Sequence, residues 1–320
     1  MTALVQAQGL ARSFGGGWLH RPPVQALRGV DLTVARGEAL GVVGESGSGK
    51  STLGRLLLGL LPPSAGTVRF DGQDVGAASR AEWRRLRQRM QIVFQDPFGS
   101  LDPRRRVGPQ ILDGIAIHGL MPPAERGDRL AALLAQVGLD PAHAVRFPHE
   151  FSGGQRQRIG IARALATGPE FLVADEPVSA LDVSIQAQVM ALLADLRRQL
   201  GLALLFISHD LPVVRQLCDR VVVLYLGRVM EEGPAEAVFR APAHPYTRAL
   251  LSATPRLDPR RRLPRIPLPG EPPSPANPPS GCVFRTRCPQ AAADCAAAVP
   301  ALQPVGAAHR VACLRAAEAA

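Results

Sequence analysis

Between the apolar run Ala39-Leu40-Gly41-Val42-Val43 and a helical stretch from Thr52 to Leu60 lies the octapeptide Gly44-Glu45-Ser46-Gly47-Ser48-Gly49-Lys50-Ser51. No other feature constrains the fold as much, because a short buried strand has to enter a glycine-rich turn and leave it as a helix. Glycines at that spacing let backbone N–H groups converge on phosphate oxygens, and the helix aims its positive N-terminal end the same way. Lys50 is the single lysine in a chain that otherwise uses arginine, 36 times, for its basic positions. A compact ammonium reaches a β- or γ-phosphate as a point charge where a planar guanidinium does not fit. The run from Gly44 through Thr52 is therefore expected to hold nucleotide phosphates, with the Ser51 hydroxyl on Mg²⁺.

A second apolar strand, Phe171-Leu172-Val173-Ala174, ends in two acids, Asp175 and Glu176, followed by Pro177. At a strand's C-terminal edge, Asp175 is placed to hold the Mg²⁺ shell and Glu176 to orient or deprotonate an attacking water. Between these two strands lies His149-Glu150-Phe151-Ser152-Gly153-Gly154-Gln155-Arg156-Gln157-Arg158. Ser152 reads as a helix N-cap, and two glycines bare the backbone for an anion at that helix start.

In this order the three motifs resemble those of ATP-binding cassette (ABC) ATPases, with Phe151 where leucine is more usual. The resemblance implies ATP and Mg²⁺ as ligands, and ATP hydrolysis as the activity. It implies that Gln95, after Met90-Gln91-Ile92-Val93-Phe94, contacts Mg²⁺ and the attacking water. By the same likeness Asp182 lies in the loop that crosses to a second nucleotide-binding domain, and His209, after Leu204-Leu205-Phe206-Ile207-Ser208, hydrogen-bonds the γ-phosphate. Ser152, Gly153, Gly154 and Gln155 would face the P-loop of a second ATPase chain. For stacking on adenine the choice is Phe14, with Trp18 as its rival because the segment from Gly15 to Pro23 reads as an insertion.

The longest apolar runs, Leu202 to Ile207 and Val221 to Leu226, are about six residues and suit buried strands, whereas a membrane helix needs roughly 20. With no secretory pattern at the N-terminus, the chain is expected to stay in the cytoplasm, and any membrane attachment would come through partners. A formal charge of +10 raises nucleic acid as a ligand. The clusters Arg84-Arg85-Arg87-Arg89, Arg104-Arg105-Arg106 and Arg260-Arg261-Arg262 carry no interleaved aromatics, so they read as solvated faces and no nucleic-acid partner is expected.

Strands and helices alternate from the P-loop to about Gly233, which predicts a parallel sheet covered on both sides. Ile185, Val189, Leu192, Leu193, Leu196 and Leu200 form the stripe of a helix that Ser184 caps and Gly201 ends. Between 97 and 165 the pattern turns helical, with Leu130, Leu133, Leu134 and Val137 as core positions. The resemblance therefore implies an α/β fold of the P-loop NTPase, ABC ATPase type. It would have a RecA-like core, an antiparallel β subdomain and a helical subdomain at about 97–165, within a nucleotide-binding domain over 1–254. A Pro-rich, Cys-containing C-terminal extension would occupy 255–320.

Of the 25 residues from Pro255 to Pro279, 10 are proline, which predicts an extended, semi-rigid segment. Beyond it lie Cys282, Cys288, Cys295 and Cys313, while Cys218 reads as a buried apolar residue. Four thiols in a reducing compartment suggest a metal or cluster site, although intervals of 5, 6 and 17 residues lack the paired spacing of structural zinc. Ala243-His244-Pro245-Tyr246-Thr247 and Gly281-Cys282-Val283-Phe284-Arg285-Thr286-Arg287-Cys288-Pro289 resemble the C-terminal region of oligopeptide/dipeptide-importer ATPases. That likeness implies a 4Fe–4S cluster on the four cysteines, with zinc or free thiols as the alternatives, in a tail that braces against a partner. It also implies two permease subunits, a second ATPase that is a paralogue or another copy, and an external solute-binding protein. The rival class is a soluble ABC ATPase acting on ribosomes or DNA, and nickel, glutathione or another small solute are the alternatives to peptides.

Overall fold

The computed structural model describes residues 3–15, 22–97, 99–179, 181–254 and 264–316. These divide into two compact units. One comprises Met1–Leu4, Val34–Glu38 and Phe70–Ile207, the other Val5–Thr33, Ala39–Arg69 and Ser208–Ala320.

In the first unit three parallel strands, Met90–Val93, Phe171–Asp175 and Ala203–Ile207, lie side by side. The last two are buried at every position, so apolar side chains are needed on both faces and the sequence reads as continuous runs rather than alternation. Between the first and second of these strands the described chain is helical, with Val107–His118, Arg126–Gln136 and Gly153–Leu165 joined by 3₁₀ turns. Leu133, Leu134 and Val137 are buried there, as the helical periodicity predicts, whereas Leu130 is only half-buried. The long helix Val183–Leu200 ends at Gly201 in the left-handed region, but its N-cap is Asp182 rather than Ser184. Arg36 and Arg89 both pair with Asp71 and Glu170, so Arg89, the last member of its basic cluster, is neutralised locally.

In the second unit Ala39–Val43 runs parallel to Arg220–Tyr225. Arg228–Pro234 then adds antiparallel, through a turn in which Leu226 and Gly227 both adopt positive φ. Sequence periodicity gives no sign of what comes next. His309–Val311 pairs antiparallel with Arg228–Pro234, and Gln303–Gly306 pairs with His309–Val311, so the C-terminal extension supplies two more strands. The buried Glu231 carboxylate anchors this join, accepting from the N–H groups of Ala243 and His244 and pairing with His309 Nε2 at 2.7 Å. Cys218 is buried, as expected of an apolar filler. The Arg260-Arg261-Arg262 run and Trp18 lie outside the described residues. Among the described residues no helix is long and apolar enough to cross a membrane.

Candidate functional site

The phosphate loop emerges from the fully buried strand Ala39–Val43 and closes onto the helix Lys50–Leu57, which starts two residues earlier than its periodicity suggests. Gly49 caps that helix at φ +105°, and an ideal Cβ there would fall 2.4 Å from the Ala26 carbonyl oxygen, so only glycine fits. Lys50 is buried and reaches back across its own loop, Nζ donating to the carbonyls of Gly44 at 2.8 Å and Glu45 at 3.0 Å. Gly44 and Gly47 also hold positive φ, Ser46 and Gly47 are exposed, and Ser51 and Thr52 open the helix. The Ser48 hydroxyl is buried with no hydrogen-bond partner. An orphaned hydroxyl inside a glycine bowl, with an ammonium beside it, fits the phosphates of a nucleotide.

Glu45 departs from its expected role as a nucleotide contact. Its N–H donates to Tyr246 Oη at 2.9 Å, and its carboxylate accepts from Arg287, Nη1 at 2.6 Å and Nη2 at 3.3 Å. Both groups therefore face the C-terminal residues. The extension, expected to brace against a partner, also folds back onto the P-loop of its own chain. Tyr225, Tyr246 and Phe284 form the apolar base, with ring centroids 4.7 to 5.3 Å apart. Arg287 and Tyr246 are the site residues that sequence reasoning missed. The segment that contains Arg287 is conspicuous for its cysteines and its family likeness, and no spacing links it to residue 45.

Phe14 is half-buried, with the Arg12 guanidinium carbon 4.7 Å from its ring centroid. His209 follows the buried Ser208 and is exposed, held by a short cap: Asp210 accepts from Val213 N–H and donates its own N–H to Ser208 Oγ. These residues belong to the same unit as the P-loop.

In the other unit Asp175 is the buried last residue of its strand, and Glu176 is the first residue past it. Glu176 sits at φ +46°, a conformation that costs a non-glycine residue about 1–3 kcal/mol and persists where the surroundings enforce it. Its N–H donates to Ile207 O at 2.9 Å, and its Oε2 accepts from Gln95 Nε2 at 3.2 Å. Gln95 and Glu176, distant in sequence, are thus brought together. Ser152 caps the helix Gly153–Leu165 in a reciprocal box with Gln155. An ideal Cβ on Gly154 would fall 2.5 Å from Ile185 Cγ2, so this glycine serves close helix packing as well as a bare backbone. Asp182 is exposed at the N-cap of Val183–Leu200, and its side chain makes no capping bond.

Cys282, Cys288, Cys295 and Cys313 are all free thiols. Burial pushes Cys282, Cys288 and Cys313 up, and neighbouring members of the set add to the shift, which puts the four within electrostatic reach of one another. Among the described residues, however, no group of three or more His, Cys, Asp or Glu side chains is arranged to hold a metal ion. The cluster and zinc expectations for the tail gain no support from this arrangement.

Residues 27–179 match the ABC transporter family, and residues 230–295 match the oligopeptide/dipeptide transporter C-terminal region. A protein of Brucella ovis named as a peptide import ATP-binding protein is 56% identical over 98% of both chains. A Sinorhizobium fredii protein named as a peptide ABC transporter ATP-binding protein is 49% identical over 97% of this chain and 89% of its own length. Among solved structures, cbiO1 from Clostridium perfringens, described as part of the ABC transporter complex cbiONQ, superposes with a TM-score of 0.67 at 31% identity. That match covers 75% of this chain and 92% of the other. The ATP-binding cassette MJ0796, solved as a dimer bound to ADP and Pi, superposes with a TM-score of 0.65 at 30% identity, over 72% of this chain and 98% of its own. With the motifs in place and the likeness running nearly end to end, the chain belongs to the ABC transporter ATPases, in the branch that carries the oligopeptide/dipeptide C-terminal region.

Proposed function

We propose that this chain hydrolyses ATP to power the import of oligopeptides and dipeptides through a membrane permease. The observation that carries this reading is the presence, in one chain, of the P-loop and the oligopeptide/dipeptide C-terminal region. The names of its full-length relatives support the same solute class.

In this reading Lys50 and the amides from Gly44 to Thr52 hold the phosphates, Glu45 excepted because its N–H is engaged by Tyr246, and Phe14 stacks on the adenine. Ser51, Gln95 and Asp175 hold Mg²⁺, which when bound neutralises phosphate charge. Glu176 accepts a proton from water, with its carboxylate oriented by the Gln95 amide, and His209 donates to the γ-phosphate. Ser152, Gly153, Gly154, Gln155 and Asp182 serve the facing ATPase of a dimer, a paralogue or a second copy. Two permease subunits and an external solute-binding protein complete the assembly, and the chain sits peripherally on the cytoplasmic side. A 4Fe–4S cluster in the tail is a proposal that rests on four-thiolate donor chemistry alone. Anaerobic protein with about four iron and four sulfide per chain supports it; stoichiometric zinc or no metal removes it.

Uptake of labelled dipeptides and oligopeptides tests the whole reading in cells that lack the gene and are complemented with wild type or Glu176→Gln. Wild type restores uptake and Glu176→Gln does not. Uptake that never depended on the gene contradicts it, and ATP turnover stimulated by DNA or RNA instead favours the soluble class.

A further inference from the structure

A carboxylate inside a phosphate-binding loop is an electrostatic liability. Glu45 is the second residue of the octapeptide, next to the glycine whose carbonyl Lys50 holds, and at neutral pH it brings a negative charge to a loop built for polyanions. Its carboxylate is not left to solvent. The Arg287 guanidinium, whose side chain is only 7% exposed, meets it with two hydrogen bonds in a bidentate fork.

Arg287 is itself pinned from the other side. Its Nε donates to the Pro269 carbonyl at 3.3 Å, and Nη1 also reaches Tyr225 Oη at 3.5 Å. Tyr246 fixes the Glu45 backbone, and Tyr225, Tyr246 and Phe284 pack together beneath. Pro272 and Pro273 of the proline-rich segment line a narrow cleft with Glu45, Ser46, Gly47 and Ser48. Proline fixes φ and lacks an N–H, so the segment meets the loop as a stiff strap with little entropy to lose.

We infer that Arg287 is a positioning residue for nucleotide binding: it neutralises Glu45 and turns its carboxylate away from the phosphates, making the C-terminal extension part of the P-loop's electrostatics. The inference rests on the ATPase reading and adds a function for the extension within its own chain. It makes Glu45 harmful to nucleotide binding only when Arg287 is missing, and that dependence separates it from a merely structural role.

The test is equilibrium binding of MgATP to the full-length chain, with steady-state turnover alongside, for wild type, Arg287→Gln, Glu45→Gln and the double variant. Arg287→Gln weakens binding about tenfold, the equivalent of about 1.4 kcal/mol, and raises KM with kcat within about twofold, since binding is lost equally from the ground and transition states. In Glu45→Gln/Arg287→Gln the affinity returns to within about threefold of wild type, because the exposed carboxylate has gone. Glu45→Gln alone binds as tightly as wild type or more tightly. Wild-type affinity in Arg287→Gln, or a double variant as weak as Arg287→Gln, overturns the inference. Should Arg287→Gln fail to fold, a tenfold loss in Glu45→Gln overturns it alone. A wild-type chain that binds no MgATP removes the ATPase reading, and this inference with it.

Discussion

Lys50 shows how one side chain carries both structure and chemistry. Its ammonium is buried and bridges two carbonyls of its own loop, geometry that three rotatable donors on a thin stem satisfy and a planar five-donor fork does not. Lys50→Arg is expected to lower MgATP affinity at least tenfold while net charge stays constant, measured by equilibrium binding. Unchanged affinity would mean that charge alone suffices. Gly154 makes the same point for packing. Gly154→Ala sets a methyl 2.5 Å from Ile185 Cγ2, overpacking that costs about 1–3 kcal/mol in chemical denaturation, and shortening Ile185 to alanine in the same chain recovers part of it. At this scale the sequence was most legible where chemistry demands a residue type at a fixed spacing: Lys50, Asp175, Glu176 and Ser152 stand where their motifs put them. It was least legible at Glu45 and Arg287, because a pairing across such a long stretch of chain leaves no periodic trace.

Among the elements, the helix Pro245–Ala253 carries a titratable cap. His244 Nδ1 accepts from the Tyr246 N–H at 3.0 Å, which requires the neutral ring, and full burial lowers the His244 pKa from 6.5 to about 3. A folded-state pKa below the unfolded one means that the neutral ring's stabilisation is complete above pH 6.5 and is lost progressively as the pH falls toward 3. The urea midpoint should therefore drop between pH 7 and pH 5, and His244→Asn, which keeps an acceptor but does not titrate, should show a shallower decline. Equal slopes would contradict the assignment. Elements with strong patterns were readable in advance: fully apolar runs became buried parallel strands, and the leucine spacing near Leu133 became a helix. The strands Gln303–Gly306 and His309–Val311 were not, because the first is exposed throughout and each is too short to show alternation.

At the scale of the whole molecule, the extension that looked like an appendage is built into the unit that bears the P-loop. It lengthens the sheet beyond Arg228–Pro234 and packs Phe284, fully buried, against Tyr225 and Tyr246. Phe284→Ala is expected to cost about 3–5 kcal/mol by emptying that position, seen as a lower Tm and as proteolysis within the proline-rich segment before the rest of the chain. A Tm at the wild-type value would mean that the extension is only loosely attached. The central claim, that this chain hydrolyses ATP with Glu176 as the proton acceptor, is tested most directly by single-turnover hydrolysis of bound MgATP in wild type and Glu176→Gln. The account predicts equal affinity, with ADP and phosphate forming at least about 100-fold more slowly in Glu176→Gln. Hydrolysis by Glu176→Gln at the wild-type rate would contradict it.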